Sequence, residues 1–319
     1  MLLINLLLFF IAGFVLVFSG RWIVKALVKI AQFLEITEFA VGFIIMAMAT
    51  SLPEFSVAIS SGLAKNTALS FGNVIGANIL DITLIVGILT LLGNGIKIEQ
   101  KHIKKDSLYM VGIAILPLIL FCINKSLSRI DGIILLSVFG LYIFRLFKKS
   151  PRFEKKFKQA NKIKKFEIVA NIALLIFSIA LLFTSAKFLI KYAMALSTDL
   201  NLPSIMIGLF LISFGTTLPE LTFGIRAVLA AHSNLSIGNL MGAIVVNSTL
   251  VIGTAALLSP ITAVFELFAI SAVFLALVCF LFATFISSGR RLDTREGIAL
   301  VLLYVFFVIL EFYIQGTLG

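Results

Sequence analysis

Apolar residues run along this chain in long blocks, and polar residues gather at a few places between and within them. Stretches near 20 apolar residues recur, each long enough to cross a hydrocarbon core of roughly 30 Å. The pattern predicts ten helical spans, over about 2–28, 37–64, 68–93, 107–123, 130–147, 167–192, 203–230, 234–258, 261–287 and 295–315. The N-terminus is apolar from Leu2 and lacks a basic leader and a clear cleavage site, so it reads as the first span. With 61% hydrophobic residues and a mean hydropathy of +1.15, the composition excludes a soluble domain. Cys122 and Cys279 both sit in apolar runs and read as small core residues rather than a disulfide pair.

Charge changes this picture only in orientation. A net charge of +11 could point to nucleic acid, but membrane proteins concentrate Lys and Arg on cytoplasmic loops. Taking alternate loops with their helix ends, 21 of the 26 Lys and Arg fall on one side, including ten between Arg145 and Lys165. This predicts both termini outside a cell membrane and the linker 148–166 in the cytoplasm, lying against anionic lipid. The linker separates a first unit, 1–147, from a second, 167–319, and is too short to fold as a sensor domain. No nucleic-acid partner is expected, and the chain is read as a monomer.

The two units repeat one another. Thr50-Ser51-Leu52-Pro53-Glu54 returns as Thr216-Thr217-Leu218-Pro219-Glu220, and Gly72-Asn73-Val74-Ile75-Gly76-Ala77 as Gly238-Asn239-Leu240-Met241-Gly242-Ala243. Gly42–Gly87 aligned with Gly208–Gly253, at a constant offset of 166, gives 17 identities in 46 positions. Five spans per unit is odd, so the second copy must enter the membrane from the opposite side. Inverted repeats of this kind carry ion sites at the repeat interface near the midplane. A repeat kept for packing alone would keep small and apolar residues; this one also keeps carboxylates and hydroxyls, and intramembrane ionisable groups are functional by default.

Pro53 has no N–H and crowds the carbonyl four residues back, so the second span should break and free carbonyls around Ala47 to Thr50. Such backbone is tolerated at membrane depth only when it is buried or lines a cavity. Thr50, Ser51 and Glu54 add hydroxyl and carboxylate oxygens. The second copy supplies Ser213, Thr216, Thr217 and Glu220. These are hard oxygen donors, the type preferred by Ca²⁺ and Na⁺. The paired glycines read first as close-packing positions, while the sequence leaves the task of Asn73 and Asn239 open. One turn past Ala77 stands Asp81, and one turn past Ala243 stands Asn247. Glu54, Asp81 and Glu220 are three potential negatives with no Lys or Arg in the four motifs. Such a group binds cations or takes up protons.

At these residues the chain resembles the cation/Ca²⁺ exchanger superfamily, its pattern being nearest to the prokaryotic Na⁺/Ca²⁺ exchangers. The resemblance implies an inverted repeat with a diamond of cation sites at the midplane. Glu54 and Glu220 would be the central Ca²⁺ ligands, joined by the carbonyls of Thr50 and Thr216. Ser51 and Thr217 would give hydroxyls to flanking Na⁺ sites, with carbonyls of Ala47 and Ser213. Asp81 and Asn247 would fill the remaining central polar positions. The first and sixth spans would slide across a rigid core. Ala77 and Ala243 stand where the family usually has serines, and Asp81 and Asn247 look exchanged between halves relative to the archaeal pattern.

The expected function is Ca²⁺/Na⁺ antiport by alternating access, without a cofactor. The alternatives are a Ca²⁺/H⁺ or other cation/proton antiporter, favoured by Ala77 and Ala243, and a passive cation channel. An enzyme is not expected: no His lies in the motifs, His102 and His232 being near loops.

Overall fold

The apolar blocks form helices, and two of them are interrupted just before Pro53 and Pro219, whereas Pro117 lies within a continuous helix. A computed structural model describes residues 2–33, 46–97, 101–148, 165–230, 233–262, 265–288 and 291–318. Helix α1 (Leu2–Phe33) leads to the short α2 (Met46–Thr50) and α3 (Leu52–Leu63). Next come α4 (Thr67–Leu80), a π-helical turn (Asp81–Ile85) and α5 (Val86–Leu92). The first half closes with β1 (Ile96–Lys97), α6 (Lys101–Asn124), β2 (Ser126–Leu127) and α7 (Arg129–Lys148).

The second half opens on α8 (Lys165–Asp199), followed by α9 (Ser204–Met206), a π-helical stretch (Ile207–Ile212) and α10 (Ser213–Thr216). Then follow α11 (Leu218–Leu229), α12 (Ser233–Val246), a π-helical turn (Asn247–Val251) and α13 (Ile252–Leu258). It ends with β3 (Ile261–Thr262), α14 (Phe265–Ser288), β4 (Arg291–Leu292) and α15 (Thr294–Leu318).

Among the described residues, eight helices are long and apolar enough to cross a membrane. The expected second and fifth spans are not among them. The second lies partly outside the described residues, as does most of the linker 148–166. The fifth, α7, is helical over its expected length but carries Arg129, Asp131, Arg145 and Lys148 in its 20 residues. Helix α8 outruns its expected end at 192 and reaches Asp199, because no Gly or Pro stands between Lys165 and Pro203. At 35 residues it is about 52 Å long, more than a bilayer core needs.

Two apolar clusters organise the bundle. The larger joins both halves, with the rings of Phe71, Phe121 and Phe268 packed at centroid separations of 4.2–5.1 Å. The smaller holds α1 to α8 through Leu16, Ile23, Leu182 and Leu189. The outer faces of α1 and α8 present Leu3, Phe14, Phe166 and Ile176 at more than 60% exposure, a broad apolar surface. Cys279 is buried, but Cys122 is exposed on α6 and is not the core residue its apolar neighbours suggest; both are free thiols. Cys122 lies on the outer side of α6 while its neighbour Phe121 is fully buried, a difference that hydropathy does not register in an apolar run.

The two halves clasp each other at both ends through two-residue antiparallel strands. Ile96 pairs with Leu292 and Lys97 with Arg291; Ser126 pairs with Thr262 and Leu127 with Ile261. Shifting by 166 turns Ile96 into Thr262 and Leu292 into Ser126, so one clasp maps onto the other with the halves exchanged. The π-helical turns at Asp81–Ile85 and Asn247–Val251 obey the same shift. In each, a threonine hydroxyl donates to the carbonyl four residues back, Thr83 to Ile79 and Thr249 to Val245, both at 2.5 Å. The widened turn disturbs the regular ladder, and the hydroxyl satisfies a carbonyl within it.

Candidate cation site

The site begins with two helix breaks. Ser51 separates α2 from α3 at φ −82°, ψ 4°, and Thr217 separates α10 from α11 at φ −82°, ψ −1°. A proline follows in the first turn of each new helix, where a missing N–H costs least. The carboxylates of Glu54 and Glu220 therefore project from first turns, at the positive end of a helix dipole. The backbone is less free than proline alone suggests. The Ala47 carbonyl accepts the Ser51 N–H at 3.2 Å and the Thr50 hydroxyl at 3.3 Å. The Ser213 carbonyl accepts the Thr217 N–H at 3.0 Å and the hydroxyls of Thr216 and Thr217 at 3.3 and 2.9 Å. Both carbonyls thus carry hydrogen bonds in this conformation, and ligating an ion would require the threonine hydroxyls to turn away. The reason is local: a hydroxyl three or four residues ahead on the same helix lies within reach of the carbonyl.

Close packing brings the other residues in. A Cβ on Gly72 would overlap the carbonyl oxygen of Ile205, and one on Gly76 that of Leu209. Small residues here let α4 lie directly on the backbone of the 204–216 segment, as expected of the paired glycines. This contact delivers Asn73 to the site, where its Oδ1 accepts the Thr216 hydroxyl at 3.1 Å. Its counterpart is different: Thr50 donates to its own helix, and both polar side-chain atoms of Asn239 lack a partner among the described residues. The two halves are chemically alike here but not in the same state.

All ten expected site residues, Ala47, Thr50, Ser51, Glu54, Asp81, Ser213, Thr216, Thr217, Glu220 and Asn247, are buried at 3% exposure or less. Glu54 faces Thr216, and Glu220 faces Thr50, so each carboxylate addresses the opposite half. Glu54, Asp81 and Glu220 lie within electrostatic reach of one another, and no Lys or Arg among the described residues acts on them. Their six carboxylate oxygens, with Ser51 Oγ and Asn247 Oδ1, have no hydrogen-bond partner among the described residues. Buried groups of this kind are normally satisfied, and a charge left alone is the costliest case. A positive species would satisfy them. No three His, Cys, Asp or Glu side chains converge tightly enough to cage a metal unaided among the described residues. A cation here would therefore draw on carboxylates, hydroxyls and amide oxygens together, a donor set that suits hard cations.

The sequence reading missed Asn78 and Ser248. The Asn78 NH₂ donates to Ser248 Oγ at 2.9 Å, and the Asn247 NH₂ donates to Asn78 Oδ1 at 3.3 Å. Asn78 directly follows Ala77 and stands three residues before Asp81, and a second amide in the same helix as Asn73 is the signal that could have exposed it.

Three comparisons with known proteins bear on this arrangement. The family model described as "Sodium/calcium exchanger protein" matches residues 4–148 and 170–313, leaving out the basic linker. The chain is 28% identical to sodium/calcium exchanger MaX1 of Methanosarcina acetivorans, over 98% of this chain and all of that one. It is 27% identical to the putative antiporter CaxA of Alkalimonas amylolytica, over 93% of this chain and 95% of the relative. Among solved structures, the sodium-calcium exchanger NCX_Mj soaked with Na⁺ and Sr²⁺ superposes with a TM-score of 0.68 at 23% identity, over 97% of this chain and 99% of that one. The same exchanger soaked without Na⁺ and Ca²⁺ gives a TM-score of 0.65.

Proposed function

The chain belongs to the sodium/calcium exchanger protein family, and from that premise we propose that it is an antiporter that exchanges Ca²⁺ for Na⁺ at one midplane site shared by its two halves. The observation that carries the reading is the six carboxylate oxygens of Glu54, Asp81 and Glu220, drawn from both halves and buried without a hydrogen-bond partner among the described residues. Ca²⁺ would lie between the two glutamates, with the Thr50 and Thr216 carbonyls completing its shell. Ser51 and Thr217, with the Ala47 and Ser213 carbonyls, would serve flanking Na⁺ ions, and Asp81 and Asn247 would close the centre. Two carboxylates match a divalent charge, and several monovalent ions can take its place. Exchange follows if the empty site, with its three carboxylates, cannot cross on its own.

Ten membrane helices in two inverted five-helix repeats are the architecture this mechanism needs. The exchanged strand pairs, 96 with 292 and 126 with 262, support it. The unequal hydrogen bonding of Thr50 and Thr216 fits two halves that alternate between states. Charge asymmetry favours both termini outside a cell membrane and the linker 148–166 in the cytoplasm.

Proton coupling is the second reading. It is favoured by Ala77 and Ala243, fully buried beside the site without hydroxyls to offer Na⁺. The test is ⁴⁵Ca²⁺ uptake into proteoliposomes under an outward Na⁺ gradient or a pH gradient. Na⁺-driven uptake supports the proposal. Uptake that ignores Na⁺ but follows the pH gradient would replace Na⁺ by H⁺, and flux without any counter-ion would make the protein a channel.

A further inference from the structure

An asparagine at a cation site has to present its oxygen and dispose of its NH₂ elsewhere. Asn247 and Asp81 begin matching π-helical turns, and both are completely buried. The Asn247 NH₂ is taken by Asn78 Oδ1 at 3.3 Å, while Asn247 Oδ1 has no partner among the described residues. The Asn78 NH₂ in turn donates to Ser248 Oγ at 2.9 Å, so both polar ends of the Asn78 side chain are engaged. The chain of donors therefore runs one way, from Asn247 to Asn78 to Ser248, and crosses the boundary between halves.

The other half shows what happens when no NH₂ is present. There Asp81 replaces Asn247, Ile244 stands at the position matching Asn78, and Ile82 at the position matching Ser248. A carboxylate has two equivalent oxygens and no donor to dispose of. It needs no acceptor behind it, and apolar isoleucine suffices. The polar pair Asn78 and Ser248 thus accompanies the amide and is absent behind the acid.

We propose that Asn78 is a positioning residue of the cation site, one that takes the Asn247 NH₂, is itself held by Ser248, and so turns the Asn247 carbonyl oxygen toward the ion. This inference rests on the reading that Glu54, Glu220 and Asn247 bind Ca²⁺. Asn78 does not touch the ion; it decides which end of a neighbouring amide does.

The test is Ca²⁺ titration of the purified full chain, with thermal unfolding in the absence of Ca²⁺ as a control on folding. Asn78→Leu is expected to weaken Ca²⁺ affinity about tenfold or more, because the Asn247 amide loses the contact that orients it. The same substitution on an Asn247→Asp background is expected to cost less than about threefold, since aspartate presents oxygen either way round. Equal losses on both backgrounds would mean a structural role only and would overturn the proposal. If Asn78→Leu does not fold, Ser248→Ala carries the test: it should weaken affinity about two- to fivefold, and unchanged affinity overturns the proposal. A wild-type chain that binds no Ca²⁺ overturns the functional reading and this inference together. A wild-type chain that binds Ca²⁺, with Asn78→Leu matching it, overturns this inference alone.

Discussion

Gly76→Ala joins packing to function in a single methyl group. A Cβ at this position would overlap the Leu209 carbonyl oxygen and stand 2.8 Å from both the Leu209 carbonyl carbon and Ser213 Oγ. Ordinary contact between carbon atoms is about 3.5–4.0 Å, so the carbonyl carbon alone calls for roughly 0.7–1.2 Å of separation between α4 and the 207–213 backbone, and the overlapping oxygen calls for at least as much. Overpacking of this kind typically costs about 1–3 kcal/mol. The site should suffer more than the fold. Ca²⁺ accepts oxygens only within about 2.3–2.6 Å, and the same helix contact holds Asn73 against Thr216. The expected outcome is a lower unfolding temperature together with a fall in Ca²⁺ affinity of about tenfold or more. Gly112→Ala is the control: nothing lies within 4 Å of a Cβ there, so it should fold as well as wild type or slightly better and bind normally. Differential scanning fluorimetry and Ca²⁺ titration on the two variants decide the matter. Wild-type stability and affinity in Gly76→Ala would refute the claim that glycine is needed for the approach.

Other outcomes follow from the same contacts. Glu54→Gln should leave the cation-free protein as stable as wild type or more so, because it removes one of three mutually repelling buried carboxylates. It should also abolish the thermal stabilisation by Ca²⁺, which for wild type reaches about 2.7 kcal/mol at a hundredfold excess over Kd; equal destabilisation with and without Ca²⁺ would instead mean a structural role. Ser126→Cys with Thr262→Cys should cross-link spontaneously on oxidation, since the pair are direct antiparallel partners and facing residues in such ladders meet the Cα spacing of a disulfide; failure to form the link would deny the clasp. Ala77→Ser with Ala243→Ser should raise apparent Na⁺ affinity in the transport assay, and an unchanged value would remove the argument from missing hydroxyls.

Much of the site was legible because its residues are improbable where they stand. A glutamate next to a proline inside an apolar run announces itself, and its return at a fixed offset announces a partner. Hydropathy could not say which way a side chain faces, so Cys122 was misplaced. Proline predicted a break, and Ser51 and Thr217 mark one. It did not predict that the hydroxyls of Thr50, Thr216 and Thr217 would bond to the Ala47 and Ser213 carbonyls, because local competition for a carbonyl depends on rotamers. Asn78 escaped notice for a similar reason: it has no counterpart in the second half, and repetition was the signal that picked out the rest.

The claim that Glu54 and Glu220 belong to one site, built from both halves, is tested most directly by counting Ca²⁺ bound at equilibrium in wild type, Glu54→Gln, Glu220→Gln and the double variant. The account predicts that either single substitution removes high-affinity Ca²⁺ binding, with the double variant no worse than either. Two single variants that each keep half of the bound Ca²⁺, and a double variant that loses both halves, would contradict it.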